Sequence, residues 1–280
     1  MSAAGRWIRP AGPRELVPAA CLGVLIAAQI VYPLTSGPAR DTVTVAVVLL
    51  SAGTALVHAA LTRGLRYAAG FGVIVSGIGL AAEAVGTATG IPFGAYDYAI
   101  GRLGPALFDV PLVVPLAWTG GLYPIWVVAG MLCRAPASRI AATAAGAVGW
   151  DLFLDPQMVA DGQWRWHDTG SGLPGLDAIP WTNYLGWLLV AGAIAVALTA
   201  WERTVPPTDR TGIPVLMFLW TWLGSALAHA VFLGLPYSAV YGGIALGMLG
   251  VPLLVQLFRG RAGPIGGRNG DTAGPVAWRR

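Results

Sequence analysis

RIAATAAGAVGWDLFLDP, residues 139–156, is the stretch on which the fold turns. It starts as an apolar run suited to a membrane span and closes on two aspartates, Asp151 and Asp155. Counted as a span, it brings the crossings to eight. Around it lie 280 residues, 56% hydrophobic and 11% charged, with a mean hydropathy of +0.66. That is too apolar for an ordinary soluble domain. Runs near the roughly 20 residues that cross a bilayer fall at about 15–33, 43–61, 67–88, 110–132, 139–156, 183–201, 212–234 and 238–258. The reading is all-α: a polytopic transmembrane helix bundle of about eight spans in one domain, residues 1–258. Seven is the alternative, because the fifth run ends in aspartates and only Gly234, Leu235 and Pro236 part the last two.

Arginine placement tests that count, since cytoplasmic loops hold the excess positive charge and the chain has no lysine. Arg6, Arg9 and Arg14 precede span one, Arg63 and Arg66 follow span two, and Arg134 and Arg139 follow span four. Arg203 and Arg210 follow span six, and Arg259, Arg261, Arg268, Arg279 and Arg280 follow span eight. The opposite loops hold only Arg40, Arg102 and Arg165. Both termini are therefore expected in the cytoplasm, and an even span number is favoured. The net charge of +4 has the same origin, so it signals topology and lipid headgroups rather than nucleic acid.

Residues 1–14 form an Arg-containing leader with no A-x-A site after the first run, so span one is expected to be retained. From Arg259 to Arg280 the Gly/Arg/Pro composition predicts a disordered, basic cytoplasmic tail. Cys21 and Cys133 fall in separate spans without ligand spacing, so neither a disulfide nor a metal pair is expected.

Carboxyls gather on the arginine-poor side. Asp97 and Asp109 lie in the third loop and Asp161, Asp168 and Asp177 in the fifth. Glu83 sits near the end of span three, and Asp151 and Asp155 end span five. Ionisable groups within a span are costly and mark candidate function. Positions i and i+4 share a helix face, so the two aspartates point the same way; with Glu83 opposite, three carboxyls meet at one depth. Burial and like charge both disfavour ionisation, so one member of such a cluster can keep its proton and act as a general acid. Structurally, Asp155 would instead cap a turn before Pro156 and Asp151 would accept from a tryptophan N–H.

The third loop, GIPFGAYDYAIGRLGPALFDVPLVVPLAW from Gly90 to Trp118, carries too much glycine and proline for a continuous helix before Val110. Broken backbone at membrane depth lines a cavity or is buried in protein. Phe93, Tyr96, Tyr98 and Trp118 supply aromatic faces, joined by Trp164, Trp166 and Trp181 of the fifth loop and by Asn183 and Trp187. Such residues form an interfacial belt, or a pocket that stabilises a carbocation by cation–π attraction. The chemistry implied by the second reading is protonation of an alkene.

Four stretches carry a resemblance: EAVGTATGIPFGAYDY (Glu83–Tyr98), LGPALFDVPLVVPLAW (Leu103–Trp118), WDLFLDP from Trp150 with the later WRW (Trp164–Trp166), and PWTNYLGW (Pro180–Trp187). Together they resemble the integral membrane carotenoid hydratases, of the bisanhydrobacterioruberin hydratase and gamma-carotene 1',2'-hydratase type. The resemblance runs from about Glu83 to Trp187; spans one, two, seven and eight match only in being hydrophobic.

The resemblance implies a carotenoid 1,2-hydratase of the cell membrane, a hydro-lyase. It would add water across the terminal C-1/C-2 double bond of an acyclic ψ-end group, giving a tertiary alcohol without cofactor or metal. The sequence agrees in showing no Gly-rich nucleotide loop, P-loop or His/Cys cluster. Implied partners are a carotenoid within the bilayer, membrane lipids and other enzymes of the carotenoid pathway. Asp151 and Asp155 are expected to supply the acid and position water, with Glu83 as base or relay. Asn183 would hold the water, and Tyr96, Tyr98, Trp118, Trp150, Trp166 and Trp187 would grip the end group.

Two other classes share features with this chain. A membrane prenyltransferase would use D-x-x-x-D, as at Asp151 and Asp155, but needs a second Asp-rich motif for Mg²⁺ and basic residues for diphosphate. Asp97, Asp109 and Arg102 match that poorly. A proton-coupled transporter would show paired broken spans, and no such internal symmetry is visible. His229 is read as a core histidine bonded to a neighbouring helix, and His58 and His167 receive no role. Gly86 with Gly90, and Gly243 with Gly247, are read as close helix contacts.

Overall fold

The computed structural model describes residues 13–261 apart from 206, 207 and 209. Among the described residues eight long helices form one bundle: α1 (Pro13–Val31), α2 (Gly37–Arg63), α3 (Leu65–Thr89), α4 (Val113–Leu132), α5 (Pro136–Ala160), α6 (Trp181–Glu202), α7 (Gly212–Phe232) and α8 (Pro236–Arg261). The first twelve residues and those beyond 261, which hold the expected leader and most of the expected tail, lie outside the described residues. α8 continues through Arg259 to Arg261, into the stretch read as tail.

Seven of these helices are long and apolar enough to cross a membrane, and α5 is not among them. Its length of about 37 Å suffices; its composition falls short because its neighbours are helices rather than lipid. α5 packs between α4, α6 and α8. Gly146 and Gly149 allow close approach, since a Cβ on Gly149 would meet the Leu246 backbone nitrogen at 2.9 Å. A helix walled by protein can carry polar groups that lipid would reject.

α5 also runs past Pro156 to Ala160, so Asp155 caps no turn there. Proline lacks the N–H that would reach the carbonyl four residues back. That carbonyl belongs to Leu152, and the Ser238 hydroxyl of α8 donates to it at 2.6 Å. The helix thus survives because a neighbour supplies the missing donor.

The connections alternate between two ends of the bundle. At the end with short turns, Glu202 of α6 gathers four partners. Arg63 pairs with its Oε1, Tyr67 and Trp126 donate to Oε1 at 2.9 and 3.0 Å, and Arg139 pairs with Oε2 at 2.6 Å. The Arg139 guanidinium lies 3.4 Å from the Trp126 ring centroid. This network spans α2 to α6. Glu202→Ala would leave two guanidinium groups without their shared carboxylate, and a loss of about 2 kcal/mol is expected. A clear drop in thermal midpoint in detergent checks it; an unchanged midpoint would show that the network contributes nothing.

At the opposite end, two long loops fold back over the helices. In the first, β1 (Tyr96–Tyr98) precedes the hairpin of β2 (Ala106–Leu107) and β3 (Val110–Pro111), and the second contains β4 (Trp164–Trp166), β5 (Gly172–Leu173) and β6 (Leu176–Pro180). β1 pairs antiparallel with β4, in the register Tyr96 to Trp166, Asp97 to Arg165 and Tyr98 to Trp164. Alternation then turns the aromatics inward and Asp97 and Arg165 outward.

Two arginines of this end, Arg40 and Arg102, are paired with carboxylates. Arg40 meets Asp161 at 2.6 Å, and Arg102 meets Asp41 at 2.7 Å. Tyr32, in a 3₁₀ turn after α1, also donates to Asp161. These bonds clamp both loops to α2. Cys21 and Cys133 are free thiols.

Candidate active site

Glu83 lies near the end of α3, which stops at Gly90 in a left-handed conformation, φ 76°. The chain then doubles back and sets β1 over the last turns of α3. The Tyr96 and Tyr98 hydroxyls donate to Glu83 Oε2 at 2.5 and 2.8 Å, and Trp118 Nε1 of α4 donates to Oε1 at 3.1 Å. This carboxylate is buried, at 5% exposure, and three neutral donors hold it. Burial and the charge of Glu83 push both phenols well above the ordinary tyrosine range, so both remain donors.

Gly86 permits this arrangement. A Cβ there would stand 2.9 Å from both Phe93 Cδ2 and Tyr96 Oη, so Gly86 seats the returning loop rather than another helix. Gly247, by contrast, does make a helix contact, against Trp222 of α7. Gly86→Ala must push Tyr96 off Glu83. A stability loss of about 1 kcal/mol and a turnover loss of about tenfold are expected. Wild-type turnover in this variant would show that the Tyr96–Glu83 bond is dispensable.

Asp151 and Asp155 share one face of α5, as their spacing predicts. Asn183, in the first turn of α6, donates from Nδ2 to Asp151 Oδ2 at 2.9 Å and to Asp155 Oδ2 at 2.5 Å. One amide thus brings the two carboxyls together. Trp164 Nε1 donates to Asp155 Oδ1 at 3.1 Å, so the tryptophan partner expected for Asp151 serves Asp155. Asp151 Oδ1 has no hydrogen-bond partner among the described residues. The pair differs in access: Asp155 lines a cavity and Asp151 lies behind it, fully enclosed.

That cavity has a volume of about 170 Å³. A single water needs roughly 10–15 Å³ of such space, so the cavity admits a far larger guest. Glu83, Asp155 and Asn183 line it together with Tyr96, Tyr98, Trp118, Trp150, Trp166 and Trp187. The residues expected to act on or grip the end group therefore converge here, with Asp151 one layer back. Trp118 and Trp187 stack at 3.9 Å between centroids, and Trp150 meets Trp187 edge-on at 5.5 Å. Gly121 makes room for Trp150, whose ring lies 2.3 Å from where its Cβ would be. Trp181 is half-exposed and faces away.

Sequence reasoning counted Trp164 among the aromatic faces of the fifth loop but gave it no role beside the carboxyls. It also missed Gln29, Tyr32, Gln157 and Trp220, which line the far part of the cavity and carry no local signal. His229 bonds neighbouring helices as read, with Nδ1 at 2.8 Å from Ser238 Oγ and Nε2 at 3.0 Å from Gln157 Oε1; it lines the cavity too. His58 is buried against the Tyr123 hydroxyl at 2.7 Å, and His167 pairs with Asp97 on the surface.

The arrangement can donate a proton from one wall, accept one at the other, and face a cation with indole rings between them. A family model described as "Carotenoid biosynthesis protein" matches residues 43–251. The bisanhydrobacterioruberin hydratase of Haloarcula japonica is 35% identical over 121 residues, a match covering 41% of this chain and 39% of that protein. The match thus spans about two fifths of that relative. No solved structure matches.

Proposed function

The chain belongs to the carotenoid biosynthesis protein family, and from that premise we propose that it is a hydratase of acyclic carotenoid ends. It adds water across the terminal C-1/C-2 double bond of a ψ-end group. The observation that carries this reading is the Asp151/Asp155 pair, bridged by Asn183, facing Glu83 across an aromatic cavity.

Two carboxyls buried side by side under one amide do not both carry charge, so the pair holds a proton, and Asp155 is the member exposed to the cavity. Its carboxyl delivers H⁺ to C-2 and the π pair forms the new C–H bond. The tertiary cation left at C-1 faces the stacked Trp118 and Trp187, whose ring quadrupoles stabilise positive charge. Water attacks C-1 and gives its proton to Glu83. That proton replaces the one the pair lost, so one proton crosses the cavity per turnover and alkene plus water balances tertiary alcohol. The Asn183 N–H₂ is taken up by the pair, so it orients the acid and offers a water only its carbonyl oxygen.

Diphosphate chemistry is poorly served here. Among the described residues no arginine lines the cavity, and a diphosphate calls for cationic partners. Arginine asymmetry supports both ends of the chain in the cytoplasm and the carboxyls in the opposite half of the membrane.

Expression in a host that accumulates lycopene or another ψ-ended carotenoid, followed by chromatography and mass spectrometry of the pigments, tests the reading. A product heavier by one water is expected. Unchanged pigments from a membrane-inserted protein, across several such substrates, would overturn it.

A further inference from the structure

Half of the cavity is not used by this chemistry. Beyond the carboxyls it runs between α1, α2 and α7, past Gln29, Val48, Trp220, Gly224 and Ala228. Two π-helical turns, Trp220–Gly224 and Ala228–Phe232, interrupt α7 at this level, and such turns often occur where a helix serves a site. They place the small Gly224 and Ala228 on the cavity wall.

Depth decides what this half can hold. Val48 lies about 16 Å from the start of α2, and Trp220 about 18 Å from the end of α7. Each is about half of a hydrocarbon core of roughly 30 Å. Below that level lies a packed cluster that includes Leu22, Leu25, Ile213 and Met217, none of which lines the cavity. A linear polyene long enough to span the core therefore cannot continue straight down from the carboxyls.

Helix α1 packs on the first turns of α7, and Trp220 Nε1 donates to Gln29 Oε1 at 2.9 Å where that packing ends. Beyond the bond, the outer face of α7 presents Leu223, Leu227 and Val231 to the surroundings. Polar side chains of this half pair with one another, Gln29 with Trp220 and Gln157 with His229, and the wall between them, with Val47, Val48, Gly224 and Ala228, is apolar. Their surface toward the cavity asks for hydrocarbon, not for a polar ligand.

We propose that the space between the end of α1 and the second half of α7 is a lateral portal, through which the unreacted remainder of a long linear isoprenoid lies out into the bilayer. It follows that each binding event presents one end of the substrate, and that a two-ended carotenoid is hydrated in two separate visits. The inference rests on the hydratase reading above.

The test uses the full chain in membranes and two hydrocarbons with the same acyclic end, one a full-length carotenoid and the other a short terpene. Gly224→Phe and Ala228→Phe narrow the portal without touching the carboxyls. Expected is a fall of at least about tenfold in the ratio of long- to short-substrate turnover, the size of effect that small steric changes produce in apolar pockets. Short-substrate turnover is also the folding control. Should a phenylalanine variant fail to fold, the milder Ala228→Leu is judged by the same ratio. A ratio equal to that of the unaltered chain overturns the portal. Failure of the unaltered chain to hydrate either substrate overturns the hydratase reading instead, so the two failures are separable.

Discussion

Asp155→Asn lowers hydration by about 10³-fold, within the range that a positioned general acid contributes, while the protein stays folded. The substitution keeps the shape of the side chain and removes the proton it can give. Its carbonyl oxygen can still accept from Trp164 Nε1, while its N–H₂ meets the Asn183 Nδ2 from which Asp155 Oδ2 accepted, so a stability loss of about 1 kcal/mol accompanies the lost acid. Asp151→Asn behaves differently, because Asp151 lies behind Asp155 and meets substrate only through it. A loss of about tenfold to a hundredfold is expected there, through a weaker hold on the shared proton. Pigment analysis of both variants beside their thermal midpoints is the measurement. Should Asp155→Asn retain half of the wild-type turnover, the acid lies elsewhere.

Glu83→Gln is expected to cost about 10²-fold in turnover and about 1 kcal/mol in stability. The carboxylate accepts three hydrogen bonds, two at Oε2 and one at Oε1. Glutamine can accept from the tyrosines or from Trp118 but turns an N–H₂ toward the others, so one donor meets a donor. It also cannot take the proton that water releases. Because Glu83 and Asp155 exchange one proton, the double variant should be little worse than the more damaged single variant. Strict multiplication of the two losses would show that the groups act independently, contrary to the cycle proposed above.

Much of the site was legible in the sequence because its signals are local. Asp151 and Asp155 share a face at helical spacing, and the structure keeps them together under one amide. The Gly/Pro punctuation after Gly90 forbids a helix, and α4 begins only at Val113. What stayed hidden depends on partners far along the chain. Nothing around Trp164 indicates that it donates to Asp155; that bond follows from the pairing of β1 with β4, strands 68 residues apart at Tyr96 and Trp164 and too short to register by alternation. The carbonyl of Leu152, freed by Pro156, is met by Ser238, and no pattern near either residue foretells it. The fifth span drew doubt for the same reason: its hydropathy assumes lipid neighbours, whereas α5 has α4, α6 and α8.

By itself the sequence determined that this is a polytopic helical protein with its carboxyls toward one end, since hydropathy and arginine placement act residue by residue against a bilayer. Only the tertiary structure decided that Asp155 rather than Asp151 faces the cavity, that Glu83 lines the same cavity under two tyrosines, and that Trp164 donates to Asp155. These depend on how helices rotate about their axes and on which loop covers which end. Such choices are made by packing between residues far apart in the chain, and a bilayer, which sorts segments only by polarity and depth, leaves them open.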